Sequence, residues 1–270
     1  MHGIVRSITW PTPSLARVVL DGEGLRGFTA LPDTDSYINV AIPPADAPYA
    51  APFDLEALKA LPRDQRPFRR RYSVRRWDAA LGELTLEVVV HGHTGPGAAW
   101  VTHARVGDAL VFTGPAGGYR PDPAADWHLL VGDESALPAI AASLEAIPEA
   151  APVVVRLVCD GADHEIPLRS PGALDLVWLH RTGEPGDDDL LADAVRQLTL
   201  PAGRVHAFVH GEAGETRAVR RHLLADRGLD PAWLSCSPYW RRGLDDEAWR
   251  QIKAAWNAEV AADVPAPQAR

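Results

Sequence analysis

The pattern of hydrophobic residues changes near residue 120, and this change constrains the fold more than any other feature of the chain. Before it, short runs rich in Val, Leu, Ile and Tyr are separated by clusters of Gly, Pro and Asp, which is typical of an antiparallel barrel or sandwich. The stretch from Pro43 to Pro67 is rich in proline, and we expect a long excursion with one short helix near Leu55–Leu61. The predicted strands are Arg17–Leu20, Tyr37–Ile42, Arg71–Trp77, Glu83–Val90 and Ala109–Thr113.

After residue 120, apolar runs alternate with helical segments, which predicts βαβ units around a parallel sheet. Val153–Val158 is a continuous apolar run, as in a strand buried on both faces. The other predicted strands are His128–Val131, Leu174–His180 and Val205–His210, and the predicted helices are Ala136–Ala146, Asp188–Leu198, Glu215–Arg227 and Asp245–Ala261. In the last helix, Trp249, Ile252, Trp256 and Val260 recur at helical spacing, which favours packing.

The sequence therefore predicts two domains, an antiparallel β-barrel over residues 1–123 and an α/β parallel-sheet domain over residues 124–270. Gly114–Asp126 is the expected linker. One common use of this architecture places a flavin on the barrel and a nicotinamide nucleotide on the sheet, although a fold alone does not establish a function.

Composition narrows the classes of partner. The 270 residues carry a net charge of −9, which disfavours a nucleic-acid partner. No apolar run approaches the roughly 20 residues that span a bilayer, and the first ten residues lack the apolar core of a secretory signal. Cys159 and Cys236 are far apart and form no CxxC motif, which argues against a disulfide framework or a cysteine zinc site. The expected compartment is the cytoplasm.

The run RRRYSVRR, from Arg69 to Arg76, is the first candidate site. On a strand, Arg70, Tyr72 and Val74 would share one face, and Arg71, Ser73 and Arg75 the other. Arginine could hold a phosphate while tyrosine stacks on a flavin ring and the serine segment bonds the ring edge. The alternative is a solvated basic edge strand, which discourages unwanted strand pairing.

The second candidate is the glycine-rich turn HGHTGPGAAW, from His91 to Trp100, which follows a strand and precedes a predicted helix. Backbone N–H groups in such a turn suit a pyrophosphate. The turn is neither G-x-G-x-x-G nor a P-loop. His91 and His93 form an HxH pair, but no third metal ligand lies near them in the sequence.

The third candidate is VGDESALPAI, from Val131 to Ile140, at the end of the first strand of the second domain. Ligands of open α/β sheets bind at this end of a strand. Asp133 and Glu134 make a poor phosphate cradle, but they could bond hydroxyls or a nicotinamide amide, whereas Ser135 could simply cap the helix. The G-x-S-x-G elbow of a serine nucleophile is absent.

Six motifs occur in order: RRYSVRRWD, HGHTGPGAAW, GDESALPAI, WLHRTGEPG, HGEAGETRAVRRHL and SPYWRRG. From about Arg6 to Trp256, the chain resembles the siderophore-interacting protein family of FAD-containing ferric-siderophore reductases. The resemblance implies a ferredoxin–NADP reductase-like fold with FAD on the barrel and NADH or NADPH on the α/β domain. The residues that it assigns to cofactors are Arg70, Tyr72, Ser73, Val74, His91, Gly95, Pro96, Gly97, Ala98, Asp133, Glu134, Ser135, Ala136, Gly211, Glu212 and Trp240.

Four positions depart from the family pattern. Gly97 and Ala98 stand where the family has Ala and Ser, so a hydroxyl contact to FAD is lost while the backbone N–H groups remain. Ser135 replaces the more usual Thr and keeps the hydroxyl, and Pro238 stands where many members have Gly before Tyr-Trp.

The activity implied by the resemblance requires no nucleophile and no metal site in the protein. NAD(P)H, or a ferredoxin, would reduce the flavin, which would pass single electrons to Fe(III) in a siderophore, and the ferrous ion would then be held less tightly. Candidates for binding the anionic chelate are Lys59, Arg120, Arg241 and Arg242, and the alternative is that they are solvated surface charges. The alternatives are a flavin reductase with a quinone or free-flavin acceptor and a non-catalytic siderophore-binding protein.

Overall fold

The computed structural model describes residues 1–90, 95–184 and 186–264. The chain divides into two compact units. The barrel unit comprises residues 1–120 and 141–143, and the sheet unit comprises residues 121–140 and those from 144 onward. His91 and His93 lie outside the described residues.

The barrel unit is a closed antiparallel barrel with strand order β1-β2-β5-β4-β3-β6. Its core is filled by inward-facing aliphatic residues such as Val18, Ile38, Val40 and Leu86, together with Phe112. The strands are β1 (His2–Thr12), β2 (Leu15–Asp21), β3 (Tyr37–Ile42), β4 (Phe68–Asp78), β5 (Glu83–Val89) and β6 (Ala109–Ala116), and α1 (Pro96–His103) lies between β5 and β6.

Two features of this unit differ from the expectation. Strand β1, which closes the barrel by pairing with β2 and β6, was not predicted because polar residues and Pro11 interrupt its alternation. The helix expected near Leu55–Leu61 is replaced by two short 3-10 turns, Ala57–Ala60 and Arg63–Gln65. Pro62 lies between these turns, and its missing N–H prevents a continuous α-helix.

The sheet unit contains a five-stranded sheet with strand order β11-β10-β7-β8-β9, and all four strand pairs are parallel. The strands are β7 (Trp127–Asp133), β8 (Pro152–Cys159), β9 (Ala173–His180), β10 (Val205–Glu212) and β11 (Leu234–Trp240). The α-helices are α2 (Leu137–Glu145), α3 (Leu190–Arg196), α4 (Ala213–Arg221) and α5 (Asp246–Ala262).

The predicted strands and helices of this half are confirmed within a few residues, with one omission. Strand β11 was missed because it contains Pro238, which argues against a strand in a sheet interior. It lies at the edge of the sheet, where proline is tolerated.

Helix α5 packs as its spacing predicted, except at one position. The Asp245 side chain accepts a hydrogen bond from the Ala248 N–H at 2.7 Å, while Trp249, Trp256 and Val260 pack with Ala213. Ile252 is exposed.

The strand order determines where a ligand can bind. The chain moves outward from β7 through β8 to β9, then returns to place β10 on the other side of β7. The connections that leave the carboxyl ends of β7 and β10 therefore diverge, which opens a crevice at this point of the sheet edge.

Candidate functional site

In the barrel unit, Arg70 and Tyr72 lie on the face of β4 that turns toward the core. They pair with the core residues Val40 and Ile38, and the Tyr72 side chain packs against the core cluster. Arg71, one residue away, is exposed, and its guanidinium lies 5.7 Å from the centroid of the Tyr37 ring. The alternation predicted for this strand is therefore present.

The first turn of α1 meets these two side chains. A Cβ atom at position 97 would collide with the Tyr72 hydroxyl and would lie 3.8 Å from Arg70 Cγ. Only glycine at position 97 leaves Tyr72 in this place. Two motifs separated in the sequence, R-x-Y-S and G-P-G-A, are thus brought together.

This corner of the barrel fits the phosphates of FAD. Gly95 precedes α1 and Pro96 occupies its first turn, and no side chain of the described residues caps the turn. No described side chain therefore competes with an anion for its N–H groups. Arg70 Cγ lies beside the turn, and Arg70 Nη1 donates to the Arg69 carbonyl at 2.9 Å, so the guanidinium is a cation that a phosphate could recruit. Ala98, the next residue of the turn, is buried.

Ser73 and Val74 continue β4 beside this corner. Ser73 pairs with Tyr37 and is half-buried, whereas Val74 is buried and donates its N–H to the Ser36 carbonyl at 2.7 Å. A bulge follows at Arg75. Ser73 can present its backbone and hydroxyl to a ligand, while Val74 mainly anchors the strand.

A buried carboxylate on the neighbouring strand β5, that of Glu87, was not predicted from the sequence. Glu87 Oε1 accepts hydrogen bonds from Arg17 at 3.0 and 2.6 Å, and Glu87 Oε2 lies 3.9 Å from Arg75 Nε. The Glu87 side chain is fully buried. The only sequence signal was one acidic residue within the alternating strand LTLEVV.

In the sheet unit, Asp133 organises the crevice between β7 and β10. Its Oδ2 atom accepts hydrogen bonds from the Glu212 N–H at 2.8 Å and from Trp240 Nε1 at 2.7 Å. Its Oδ1 atom accepts from both the N–H and the hydroxyl of Ser135. Asp133 is fully buried, so this carboxylate ties together the ends of β7, β10 and β11.

Gly211 approaches Asp133 closely at the end of β10. Its φ is +143°, and a Cβ atom there would lie 2.8 Å from Asp133 Oδ2. Any larger residue would strain the backbone and disturb Asp133. The glycine thus serves the local hydrogen-bond network. Ala136, the remaining predicted residue of the first loop, is buried and donates its N–H to the Asp133 carbonyl at 3.0 Å.

Glu212 occupies the N-terminus of α4. Its Oε2 atom accepts hydrogen bonds from the N–H groups of Gly214 and Glu215, and its Oε1 atom accepts from the Arg242 N–H at 3.0 Å. A carboxylate already satisfies the first turn of this helix, so a nucleotide phosphate would have to displace it. Glu212 is thus placed to hold the segment that carries Arg242.

Glu134 is paired with a residue that the sequence analysis did not single out. Arg181 Nη1 donates to Glu134 Oε1 at 2.7 Å and to Asp160 Oδ1 at 2.8 Å. The WLHRTGEPG motif carries Arg181, but nothing in the sequence indicated its partners.

Glu215 is a second buried acid at this edge that was not predicted. Its Oε1 atom lies 3.5 Å from Arg242 Nη2, and Oε2 has no hydrogen-bond partner among the described residues. Burial, reinforced by the negative charge of Asp133, raises the pKa of the Glu215 carboxyl to about 9. Glu215 is therefore protonated at neutral pH.

We expect Glu215→Gln to remove a pH dependence of stability. Because the pKa rises from 4.5 to about 9 on folding, the wild-type chain loses stability as the pH rises through that interval. Glutamine keeps the shape without the titration. Unfolding free energies should be similar for both proteins near the lower limit, and the variant should gain an increasing advantage toward the upper limit. An advantage that is constant with pH would contradict the assignment.

The four basic residues that were predicted to bind the chelate differ in whether they already have partners within the protein. Lys59 pairs with Glu56 at 2.6 Å, and Arg120 donates to the Pro32 carbonyl at 2.7 Å. Arg242 pairs with Asp188 and lies near Glu215. Arg241 is half-buried, and its carbonyl accepts the Leu244 N–H at 3.1 Å. None of the helices in the described residues is both long and apolar enough to cross a membrane.

Comparison with known proteins covers both halves of the chain. Residues 4–119 match the model of the siderophore-interacting FAD-binding domain, and residues 125–243 match that of the siderophore-interacting protein. The ferric vibriobactin reductase ViuB of Vibrio cholerae is 35% identical over 243 residues, which cover 88% of each chain. The NADPH-dependent ferric-chelate reductase of Escherichia coli is 29% identical over 229 residues, covering 83% of this chain and 86% of the relative.

A solved structure shows the same fold. The siderophore-interacting protein SipS from Aeromonas hydrophila superposes with a TM-score of 0.80 at 26% identity, covering 96% of this chain and 98% of that one. A barrel followed by a parallel sheet is also the arrangement of ferredoxin reductases, which confirms the predicted fold class.

Proposed function

Because the chain belongs to the siderophore-interacting protein family, we propose that it is an FAD-dependent reductase of ferric siderophores that takes its electrons from NAD(P)H. The observation that carries the proposal is the meeting of Arg70 and Tyr72 with the turn at Gly97, which no described side chain caps, in a corner suited to a flavin dinucleotide. FAD, when bound, supplies the ability to accept a hydride from a nicotinamide and to release single electrons to Fe(III).

Residues of the barrel unit would bind and orient the FAD. Arg70 would pair with its phosphates, and the N–H groups at Gly97 and Ala98 would bond the same group. Tyr72 would contact the flavin ring and Ser73 the ring edge, with Val74 fixing the strand behind them. Gly95 and Pro96 would shape the turn, and His91 is assigned to the flavin by its motif.

Residues of the sheet unit would hold the nicotinamide nucleotide. Asp133 is fully buried and accepts four hydrogen bonds within the protein, so its role would be to position neighbouring groups. Glu134, Ser135 and Ala136 would line one side of the crevice. The other side would be formed by Gly211, Glu212 and Trp240.

The ferric chelate would be the electron acceptor, with iron arriving as substrate. Many such chelates are anionic, so basic side chains would favour their approach. Among the four candidates, Lys59, Arg120 and Arg242 already have partners within the protein, so they would contact the chelate only by sharing or exchanging those partners. Reduction weakens the hold of hard oxygen ligands on the iron, which would release it. We place the reaction in the cytoplasm, where reduced nicotinamides are available.

The purified protein should be yellow, with FAD bound non-covalently. The proposed contacts of Arg70, Tyr72 and the α1 turn are all polar or stacking contacts. Acid precipitation should therefore leave the flavin in the supernatant, where chromatography identifies it as FAD. Flavin that remains with the precipitated chain would contradict this binding mode.

The proposed function is tested by measuring its two half-reactions, reduction of the flavin by a nicotinamide nucleotide and its oxidation by a ferric siderophore. The FAD-loaded protein should be reduced anaerobically by NADH or NADPH, and addition of a ferric siderophore should then yield ferrous iron, recorded with a ferrous-specific chelating dye. Reduction by nucleotide without ferrous iron would indicate another acceptor. Reduction by ferredoxin alone would indicate another donor. A protein that binds siderophore but no flavin would be a carrier.

A further inference from the structure

A buried charge clamp lies at the carboxyl edge of β7, β8 and β9, at the proposed nucleotide site. It consists of Arg181 after β9, Glu134 after β7 and Asp160 after β8, joined by hydrogen bonds of 2.7 and 2.8 Å to the same guanidinium nitrogen. The Glu134 side chain is 2% exposed and that of Arg181 is 13% exposed, whereas that of Asp160 is 53% exposed. Two carboxylates thus surround one guanidinium, which leaves the clamp with a net negative charge. Its exposed member is the carboxylate of Asp160.

Asp160 occupies the position that contacts the ribose 2′ group of the nucleotide in dinucleotide-binding folds. It directly follows the second strand of the β7-α2-β8 unit. In dinucleotide-binding folds, an acidic residue near this position bonds the ribose 2′-hydroxyl of NAD, while a nearby arginine accommodates the 2′-phosphate of NADP. This chain has both residue types at the edge, so the choice depends on whether Arg181 is available to a phosphate.

Arg181 is already committed to the two carboxylates. The guanidinium of Arg242, after β11, is also paired, with the carboxylate of Asp188. A 2′-phosphate would add roughly two negative charges beside Arg181 and Arg242, whose positive charges are already compensated by carboxylates. Juxtaposed like charges of this kind are strongly unfavourable.

The clamp nevertheless has unused hydrogen-bonding atoms. Glu134 Oε2 and the Nε and Nη2 atoms of Arg181 have no hydrogen-bond partner among the described residues. Ribose hydroxyls are neutral and can both donate to a carboxylate and accept from a guanidinium. These three atoms are buried, so a ribose would reach the clamp through the exposed carboxylate of Asp160, which accepts a hydrogen bond from a neutral hydroxyl but repels a phosphate.

We infer that this site selects NADH over NADPH, with Asp160 as the specificity-determining residue. The inference rests on the proposed function and goes beyond it, because neither nucleotide is favoured by the architecture alone. It also separates this chain from the E. coli relative, which is named as NADPH-dependent.

The test measures anaerobic flavin reduction by each nucleotide in the wild-type protein, in Asp160→Asn and in the control Glu165→Gln. Glu165 is an acid at the same edge whose partner is His180, so its variant makes the same change of charge outside the clamp. Calorimetric titration with NAD⁺ and NADP⁺ gives the same comparison without catalysis.

We expect the wild-type protein to favour NADH by about tenfold or more in both measurements. Asp160→Asn should lower that ratio by about fivefold or more, because it removes the exposed negative charge while Glu134 still holds Arg181, whereas Glu165→Gln should change it by less than about twofold. A wild-type preference for NADPH, or equal effects of the two variants, would overturn the inference but leave the proposed function standing. Failure of both nucleotides to bind and to reduce the flavin would overturn both.

Discussion

Asp133→Ala should destabilise the sheet unit by about 3–5 kcal/mol, the largest stability effect that we expect from a single substitution. The carboxylate is fully buried and accepts four hydrogen bonds. Its removal leaves two backbone N–H groups and the Trp240 indole N–H without their acceptor. The measurement is denaturant unfolding followed by far-ultraviolet circular dichroism.

Ser135→Ala provides the matched control for this prediction. It removes one hydroxyl donor from the same carboxylate and leaves the other three hydrogen bonds in place. We expect a loss of about 1 kcal/mol for this variant. If the two variants were equally stable, Asp133 would not organise this edge. The flavin spectrum of both variants should be retained, since the proposed FAD contacts lie in the barrel unit.

The second large effect concerns FAD affinity, which Arg70→Ala should lower by about 10- to 150-fold. A charge-assisted phosphate contact contributes about 1.5–3 kcal/mol, which corresponds to that range. Arg70 lies on the face of β4 that carries Tyr72 and near the α1 turn. Titration of FAD into the apoprotein, followed by flavin fluorescence, measures the change.

Arg71→Ala is the control, because it removes the same charge from the opposite face of the strand. Arg71 is exposed and lies over the Tyr37 ring. We expect its FAD affinity to stay within about twofold of wild type, as for an exposed charge. Equal losses in both variants would show that charge alone, and not the Arg70–Tyr72 face, governs binding.

Hydrophobic periodicity predicted the parts of the fold in which burial follows a simple pattern. The continuous apolar run Val153–Val158 became β8, buried along nearly its whole length, and the alternation after Glu83 became β5 of the barrel. The same alternation correctly placed Arg70 and Tyr72 on one face of β4. Strands β1 and β11 were not predicted, because both contain proline and polar residues. Such residues are tolerated in a strand only at certain positions, such as the edge of a sheet, and the sequence alone does not show which strands lie there.

The candidate site was predictable in its motifs but not in its pairings. Glu134 and Arg181 are 47 residues apart, and only the parallel strand order brings them within hydrogen-bond distance. Gly211 illustrates the same limit. The family resemblance assigned it to a cofactor, whereas a side chain there would first meet Asp133 within the protein. Local patterns identify which residues carry chemistry, but the partners of buried charges depend on topology.

The central claim is that electrons leave this protein toward iron held in a siderophore. Its most direct measurement is anaerobic stopped-flow oxidation of the dithionite-reduced, FAD-loaded protein by ferric siderophores, with a quinone and free flavin as competing acceptors. We predict that at least one ferric siderophore oxidises the bound flavin faster than either competitor, with two ferrous ions trapped for each FAD oxidised. Rapid oxidation by the quinone or free flavin, with no response to any ferric siderophore, would contradict the account.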